Sequence, residues 1–332
     1  MVNTVDTIAT DPATGSVQVA TISGGGLTAR VLTWGATLQS LVPDWQDFSV
    51  ILGSEDLAAY RADLLYFGAI VGPVANRIKD GRFMLDGHSF ALDRNEADRT
   101  TLHGGTEGLG QRNWTLVDHG KDFVTLGITQ PDGLCGFPGP LAFEANCRLP
   151  GDGVLEIAIT GHAAGDALFN PAFHGYWNLD GGTDILDHRL CVHAERYTPV
   201  DDRLIPLGHA AAVDGTAFDY RSARPIAKDI DHNLCTGERR GVLRTVATLQ
   251  GRKNALELAT TEPGLQVYAA ANSPSGDWPG LDGRTFGRNA GVALEPQLWP
   301  DAPNNPGFPS ARIAAGERIT QVSRFRLTPT ES

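Results

Sequence analysis

The stretches VTLGIT (residues 124–129) and LEIAIT (residues 155–160) decide the fold class. In both, large apolar side chains occupy every second position, with small or polar ones between them. An extended strand sends alternate side chains to opposite faces, so each stretch has one face to bury. This period of two predicts antiparallel strands.

Runs of the same kind extend outward over nearly the whole chain. They occur at residues 27–33, 256–258, 265–269 and 323–327, and the 39 glycines and 20 prolines separate them into short segments. We predict an all-β fold, a large antiparallel β-sandwich with a groove across one sheet and few short helices. A barrel is compatible with the same pattern. The length of 332 residues suits one domain spanning residues 1–332.

The best helix candidate is SEDLAAYRADLL, residues 54–65. Leu57, Tyr60 and Leu64 have helical spacing, and Ser54 precedes them as a candidate N-cap. The sequence therefore predicts one short helix there, as an appendage to the sandwich.

The charge balance and the lack of long apolar segments exclude several partners. Lys and Arg total 27 against 39 Asp and Glu, a formal net charge of −12, and no basic run is present to bind nucleic acid phosphates. The first residues, MVNTVDTIATDPATG, lack the basic start and apolar stretch of a secretory signal, and no segment has the apolar length of a membrane span. We expect a cytoplasmic protein with no nucleic acid and no membrane partner.

Motifs for metals, cofactors and disulfides are also missing. The four cysteines, Cys135, Cys147, Cys191 and Cys235, have no CxxC spacing and are expected to be reduced thiols. The patterns HxH, HExxH, GxSxG, GxGxxG and GxxxxGK[ST] do not occur. We expect neither a metal site nor a cofactor.

The first candidate site is the segment FNPAFHGYWNL, residues 169–179. A strand here would present a polar face, suited to a sugar groove, opposite a packing face. The polar face comprises His174, Tyr176 and Asn178, and the packing face comprises Phe173, Gly175, Trp177 and Leu179. A lone histidine is more commonly a core residue with satisfied hydrogen bonds, and that alternative stays open here.

The second candidate site is GVALEPQLWPDAPNNPGFPS, residues 291–310. Glu295 and Gln297 would share one strand face, opposite Val292 and Leu294. Pro296 limits ladder hydrogen bonding and predicts an edge or bulged strand. A carboxylate between two apolar neighbours would be partly desolvated, which raises its pKa and strengthens it as a base. The alternative is an exposed glutamate on an edge strand.

Further side chains could bind the hydroxyl groups of a polyol. Arg77 and His103 lie beside glycine-rich turns, Asp231 lies in DIDHNL (residues 229–234), and Gln266 would share a strand face with Tyr268. Alone, Arg77 could be a structural ion pair, and His103 and Asp231 could be turn residues.

With these residues, the chain resembles the aldose 1-epimerase family, also called galactose mutarotases, from about residue 27 to residue 327. The matching stretches are, in order, WGATLQSLVPD, VILG, GPVANRIKDGRF, LHGG with Trp114, HGYWNL, YTPVDDRLIPLG, DGTAFDYR, DHNL, PGLQVY and LEPQLWPDAPNNPGFPS.

The resemblance implies an isomerase that interconverts the α and β anomers of a free sugar such as glucose or galactose. Glu295 would take the proton from the anomeric hydroxyl, and His174 would protonate the ring oxygen. The implied sugar-binding residues are Asn76, Arg77, His103, Tyr176, Asp231 and Gln266. A carboxylate beside His174, with Asp231 as the candidate, would help to keep that imidazole protonated.

Two departures from the family pattern leave the sugar open. Pro73 stands where arginine is common, and Phe173 stands where asparagine is common, so the groove wall near both is expected to differ. A ketose, pentose or phosphorylated sugar is an alternative substrate. A non-catalytic carbohydrate-binding sandwich and a glycoside hydrolase that pairs Glu295 with Asp231 are alternative functions. We expect a monosaccharide ligand and a monomer or homodimer.

Overall fold

A computed structural model describes residues 4–11 and 15–330, in which antiparallel strands dominate. The strands are numbered β1 to β27 in chain order. The helical segments of this part of the chain are short 3₁₀ helices at Leu57–Arg61, Lys79–Gly81, Leu109–Gln111, Leu134–Gly136 and Ala302–Asn304.

The largest sheet has nine strands. Their spatial order is β10 (Thr115–His119), β11 (Phe123–Gln130), β12 (Leu141–Gly151), β13 (Val154–Ala163), β27 (Arg318–Pro329), β23 (Asn254–Thr260), β22 (Arg244–Gln250), β17 (Arg189–Val192) and β20 (Arg224–Pro225).

A six-stranded sheet and a four-stranded sheet supply other strands of the core. The six-stranded sheet has the order β16 (Tyr176–Trp177), β25 (Val292–Gln297), β24 (Gly264–Tyr268), β21 (Asp231–Cys235), β18 (Arg196–Tyr197) and β19 (Ala211–Ala212). The four-stranded sheet has the order β1 (Thr4–Asp11), β2 (Gly15–Gly24), β3 (Leu27–Leu32) and β4 (Leu38–Pro43).

The described residues also form two-stranded ladders outside these sheets. They pair β5 (Ile70–Val71) with β15 (Ala172–Phe173), β6 (Arg77–Ile78) with β9 (Thr101–Leu102), β7 (Arg82–Leu85) with β8 (His88–Ala91), and β14 (Ala167–Leu168) with β26 (Arg312–Ile313).

One continuous hydrophobic core joins the sheets. It contains Ile157 and Phe325 of the nine-stranded sheet, Leu265 and Leu294 of the six-stranded sheet, and many similar side chains. The ring of Trp177 lies 4.9 Å from that of Phe325, centroid to centroid. The alternating side chains of the strands therefore pack face to face, and the predicted antiparallel β-sandwich is confirmed.

The predicted helix at residues 54–65 is wrong in its length and its cap. The structure has a single 3₁₀ segment, Leu57–Arg61, and its N-cap is Asp56, whose carboxylate accepts a hydrogen bond from the backbone N–H of Ala58. Ser54 is held elsewhere, because its backbone N–H donates to the hydroxyl of Tyr60. Tertiary contacts thus outweighed the helical spacing of the apolar residues.

The four cysteines are free thiols, as predicted. No helix within residues 4–11 and 15–330 is long and apolar enough to cross a membrane.

Candidate active site

The six-stranded sheet carries half of the predicted site residues, namely Tyr176, Asp231, Gln266 and Glu295. On β24 and β25, Leu265 and Leu294 enter the core, so Gln266 and Glu295 point to the opposite face, where they are direct cross-strand partners. Asp231 on β21 is close to both, because the side-chain amide of Gln266 donates a hydrogen bond to its carboxylate. The sheet thereby brings these three polar side chains together.

The predicted edge position of the Glu295 strand is wrong. β25 lies inside the sheet, between β16 and β24. Pro296 is tolerated because β16 has only two residues, which pair with Val292 and Ala293, so that no β16 residue lies opposite the proline. Glu295 is consequently buried, with 2% of its surface exposed.

His174 lies between two short strands, β15 and β16, and not within one continuous strand. β15 ends at Phe173 and β16 begins at Tyr176, and the two strands pair with different partners. The backbone N–H of His174 donates to the carbonyl of Ala69 at 2.9 Å. The His174 Nε2 atom lies 3.5 Å from Oε1 of Glu295.

One prediction for the segment 169–179 fails, because β16 ends at Trp177. Asn178 does not join the polar face, since its amide donates to the carbonyls of Gly182 and Ala290. The predicted packing face is confirmed, because Phe173, Trp177 and Leu179 lie in the core, where the ring of Phe173 is 5.6 Å from that of Phe325.

Arg77, Asn76 and His103 reach the site from the ladder of β6 and β9. The backbone N–H of Asn76 donates to Nδ1 of His103 at 3.2 Å, so in the neutral ring Nε2 carries the proton and is a donor. The turn after His103 requires glycine, because a Cβ on Gly104 would lie 1.9 Å from the carbonyl oxygen of Gly72.

Arg77 is both an ion-pair partner and a member of the site. Its guanidinium forms a bidentate pair with Glu96, and its Nη1 lies 3.8 Å from Oδ2 of Asp231. The structural ion pair considered from the sequence therefore exists beside the predicted site and does not exclude a role in it.

Burial favours the uncharged forms of the two central groups. It raises the pKa of Glu295 well above its usual value, assisted by the negative charge of Asp231 and opposed by the positive charge of Arg77. Burial also lowers the pKa of His174 to about 4. Both shifts disfavour the ion pair that the 3.5 Å separation of their atoms would otherwise allow.

The expectation that Asp231 lies beside His174 is wrong. Among the described residues, the carboxylate within 4 Å of its ring is that of Glu295, whereas Asp231 contacts Gln266 and Arg77. Burial lowers the pKa of His103 well below its usual value as well, with the charges of His174 and Arg77 acting in the same direction.

Two neighbours of the site were missed from the sequence. The ring of Tyr66 lies 4.6 Å from that of His103 and 6.0 Å from that of His174, and burial raises its pKa to about 12. Glu96, the ion-pair partner of Arg77, is the second neighbour that was not predicted. Neither lies in a segment with strand periodicity, so the alternation pattern held no signal for them.

Comparison with known proteins then identifies the family. The model of the aldose 1-epimerase family matches residues 18–326. The chain belongs to the aldose 1-epimerase family. It is 35% identical to a galactose mutarotase from Rattus norvegicus, covering 95% of both chains, and 30% identical to an aldose 1-epimerase from Escherichia coli (strain K12), covering 92% of this chain and 93% of that protein.

Solved structures agree with this family assignment. An aldose epimerase homologue from C. elegans superimposes with a TM-score of 0.88 at 26% identity, covering 94% of this chain and 99% of that chain. A galactose 1-epimerase from Lactobacillus acidophilus shares the fold, with a TM-score of 0.85 at 22% identity and full coverage of both chains. The predicted family and the predicted isomerase class are confirmed.

Proposed function

We propose that this aldose 1-epimerase interconverts the α and β anomers of a free aldose such as galactose or glucose, with Glu295 as general base and His174 as general acid. One observation carries the assignment. The two buried groups face each other at 3.5 Å, while Oε2 of Glu295 and Nδ1 of His174 have no hydrogen-bond partner among the described residues. Buried polar atoms are normally satisfied, so these are available to a ligand.

The chemistry needs one proton removed and one delivered. Glu295 takes the proton of the anomeric hydroxyl while His174 protonates the ring oxygen, and the bond between C1 and the ring oxygen breaks to give the open aldehyde. Rotation about the C1–C2 bond presents the other face of the carbonyl. The reverse transfers close the ring as the opposite anomer and restore both groups, so no other reactant is consumed.

The reactive state holds one proton between the two groups. In the free protein that proton favours Glu295, and the form with ionised Glu295 and protonated His174 is reached by moving it to the imidazole. The acid limb of kcat/KM is then set mainly by His174, near pH 4, and the alkaline limb mainly by the raised pKa of Glu295. A plateau between the two limbs follows.

The remaining predicted residues are proposed to hold the sugar. Arg77 and the Nε2–H of neutral His103 donate hydrogen bonds to hydroxyl oxygens, and Asp231 and Gln266 bind hydroxyl groups from the sheet. Asn76 and Tyr176 are proposed as further contacts. The cytoplasmic location, the single domain over residues 1–332 and the monomer or homodimer state stay predictions from the sequence.

Polarimetry tests the proposal. Freshly dissolved α-D-galactose and α-D-glucose should reach their equilibrium rotation faster with catalytic amounts of protein than without it. Unchanged relaxation of both sugars, with sugar binding retained, would instead support a non-catalytic carbohydrate-binding protein. Release of reducing ends from aryl glycosides, lost in Glu295→Gln, would support a hydrolase. Anomer-exchange NMR over aldoses, ketoses and phosphorylated sugars then identifies the preferred substrate.

A further inference from the structure

A bidentate ion pair at the wall of the candidate site joins Arg77 to Glu96. We propose that Glu96 is a positioning residue, which holds the Arg77 guanidinium open toward the sugar and keeps it from closing onto the carboxylates of Asp231 and Glu295. The inference rests on the proposed function, because it assigns Arg77 the task of binding a sugar oxygen.

The geometry of the pair fixes the plane of the guanidinium. Nε of Arg77 donates to the two oxygens of Glu96 at 2.9 and 3.2 Å, and Nη2 donates to Oε1 at 2.8 Å. The hydroxyl of Thr100 donates to Oε2 of Glu96 at 2.5 Å and so orients the carboxylate. Two parallel N–H bonds to one carboxylate restrict an arginine far more than a single contact does.

The turn that carries Glu96 is fastened to the strand beside Arg77. The side chain of Asn95 accepts from the backbone N–H of Leu102 at 2.8 Å and donates to its carbonyl at 3.0 Å. Leu102 is in turn the cross-strand partner of Arg77. Glu96 is therefore held in place by contacts that do not involve the guanidinium, as a positioning residue requires.

Arg77 has a second set of anionic neighbours. Its Nη1 lies 3.8 Å from Oδ2 of Asp231, a separation beyond hydrogen-bond range, and the charge of Glu295 also acts on it. If Glu96 were neutral, the attraction of these two carboxylates would be unopposed. The long arginine side chain would then close the gap, and its Nη1 hydrogens would no longer be available to a sugar oxygen.

Closure would also change the proton affinity of the base. The groups facing Glu295 are Asp231 on β21, Arg77 on β6, His174 between β15 and β16, and the phenol of Tyr176 on β16. Of these, Arg77 opposes the rise in the Glu295 pKa. A closer Arg77 would oppose this rise more strongly. The Glu295 pKa would then be lower than in the wild type, and the alkaline limb of kcat/KM would move to lower pH.

The test compares Glu96→Gln with Thr100→Val. Glu96→Gln should raise KM about tenfold or more, the size expected for losing a hydrogen bond from a charged donor. Its alkaline limb should move to lower pH, and a crystal structure should show Arg77 within hydrogen-bond distance of Asp231. Thr100→Val keeps the charge of Glu96 but removes the hydrogen bond that orients its carboxylate. It should therefore raise KM and move the alkaline limb to lower pH by smaller amounts than Glu96→Gln does.

Glu156→Gln is the matched control. It removes the carboxylate of another arginine pair, with Arg324 on neighbouring strands of the nine-stranded sheet, and should leave KM and the pH profile unchanged. Wild-type KM and limb positions in both test variants, with Arg77 in its original place, would overturn the proposal. A fall in kcat with neither of those changes would overturn it equally. Absence of mutarotation in the wild-type protein would reject the proposed function instead, so the two failures are distinct.

Discussion

Within residues 4–11 and 15–330, two buried histidines face carboxylates, and the difference between them separates a candidate catalytic pair from a structural one. His174 lies 3.5 Å from Glu295, and His188 lies 3.9 Å from Asp180. All four side chains are at most 5% exposed. Burial and distance therefore do not distinguish the pairs.

What differs is the use of the other polar atoms. Nε2 of His188 accepts from the backbone N–H of Leu179 at 3.0 Å, and Oδ1 of Asp180 accepts from that of Lys253 at 2.9 Å. These bonds tie the chain after β16 to the turn between β22 and β23. The second polar atoms of His174 and Glu295 have no protein partner in the described part of the chain, so they can serve a ligand.

Replacing the two carboxylates should separate the pairs most strongly. Glu295→Gln should reduce the catalysed mutarotation rate about 10²–10⁴-fold, because the general base is lost. Asp180→Asn should keep the wild-type rate per folded molecule and lower the free energy of unfolding by about 1–3 kcal/mol, because a buried hydrogen-bond network is weakened. Polarimetry and denaturant unfolding measure the two effects, and a wild-type rate in Glu295→Gln would refute the role of the base.

The histidines should show the same division. His174→Asn should lose turnover by about 10²–10⁴-fold with sugar binding retained, because the general acid is missing. His188→Asn should lower thermal stability and leave kcat near the wild-type value. Equal losses of kcat in both variants, measured on folded protein, would show that the comparison does not distinguish function from structure.

The stability of Glu295→Gln should exceed that of the wild type at neutral pH. The pKa of Glu295 is raised in the folded state, so its contribution to stability is full below the unfolded value of about 4.5 and is lost as pH rises toward the folded pKa. Glu295→Gln has no titrating carboxyl group at this position and does not lose this stability. The difference in unfolding free energy between the variant and the wild type should therefore grow above pH 4.5 by at most about 1.4 kcal/mol per pH unit. Urea unfolding from pH 4 to pH 8 checks this, and a constant difference between the proteins would contradict it.

Asp231→Asn should change the pH profile of kcat/KM in addition to weakening sugar binding. The charge of Asp231 raises the pKa of Glu295, so its removal should move the alkaline limb of kcat/KM to lower pH. Its effect on the acid limb should be small, because that limb belongs mainly to His174, which Asp231 does not contact. A profile that keeps its alkaline limb would show that Asp231 does not act on the base.

Sequence periodicity correctly predicted which face of a strand a side chain occupies. The alternation in β24 and β25 correctly placed Gln266 and Glu295 on the face opposite the core, because local chain geometry dictates that division. It failed where the outcome depends on distant segments. Pro296 indicated an edge strand, but the short length of β16 decides where the proline is tolerated.

The remaining failures have the same physical origin. β16 ends at Trp177, so the alternation that places Tyr176 beside His174 does not extend to Asn178. The pairing of Arg77 with Glu96 depends on a turn without periodicity, and the distance from His174 to Glu295 depends on how two separate strands meet. Family resemblance supplied the candidate roles, whereas distances and unpaired atoms required the structure.

The most direct test of the central claim is the anomer-exchange rate of ¹³C1-labelled galactose with wild type, Glu295→Gln, His174→Asn and the double variant. If the two groups act as one unit on the opening ring, the double variant should be about as slow as the slower single variant. Losses that multiply in the double variant, or a single variant that exchanges at the wild-type rate, would contradict the account.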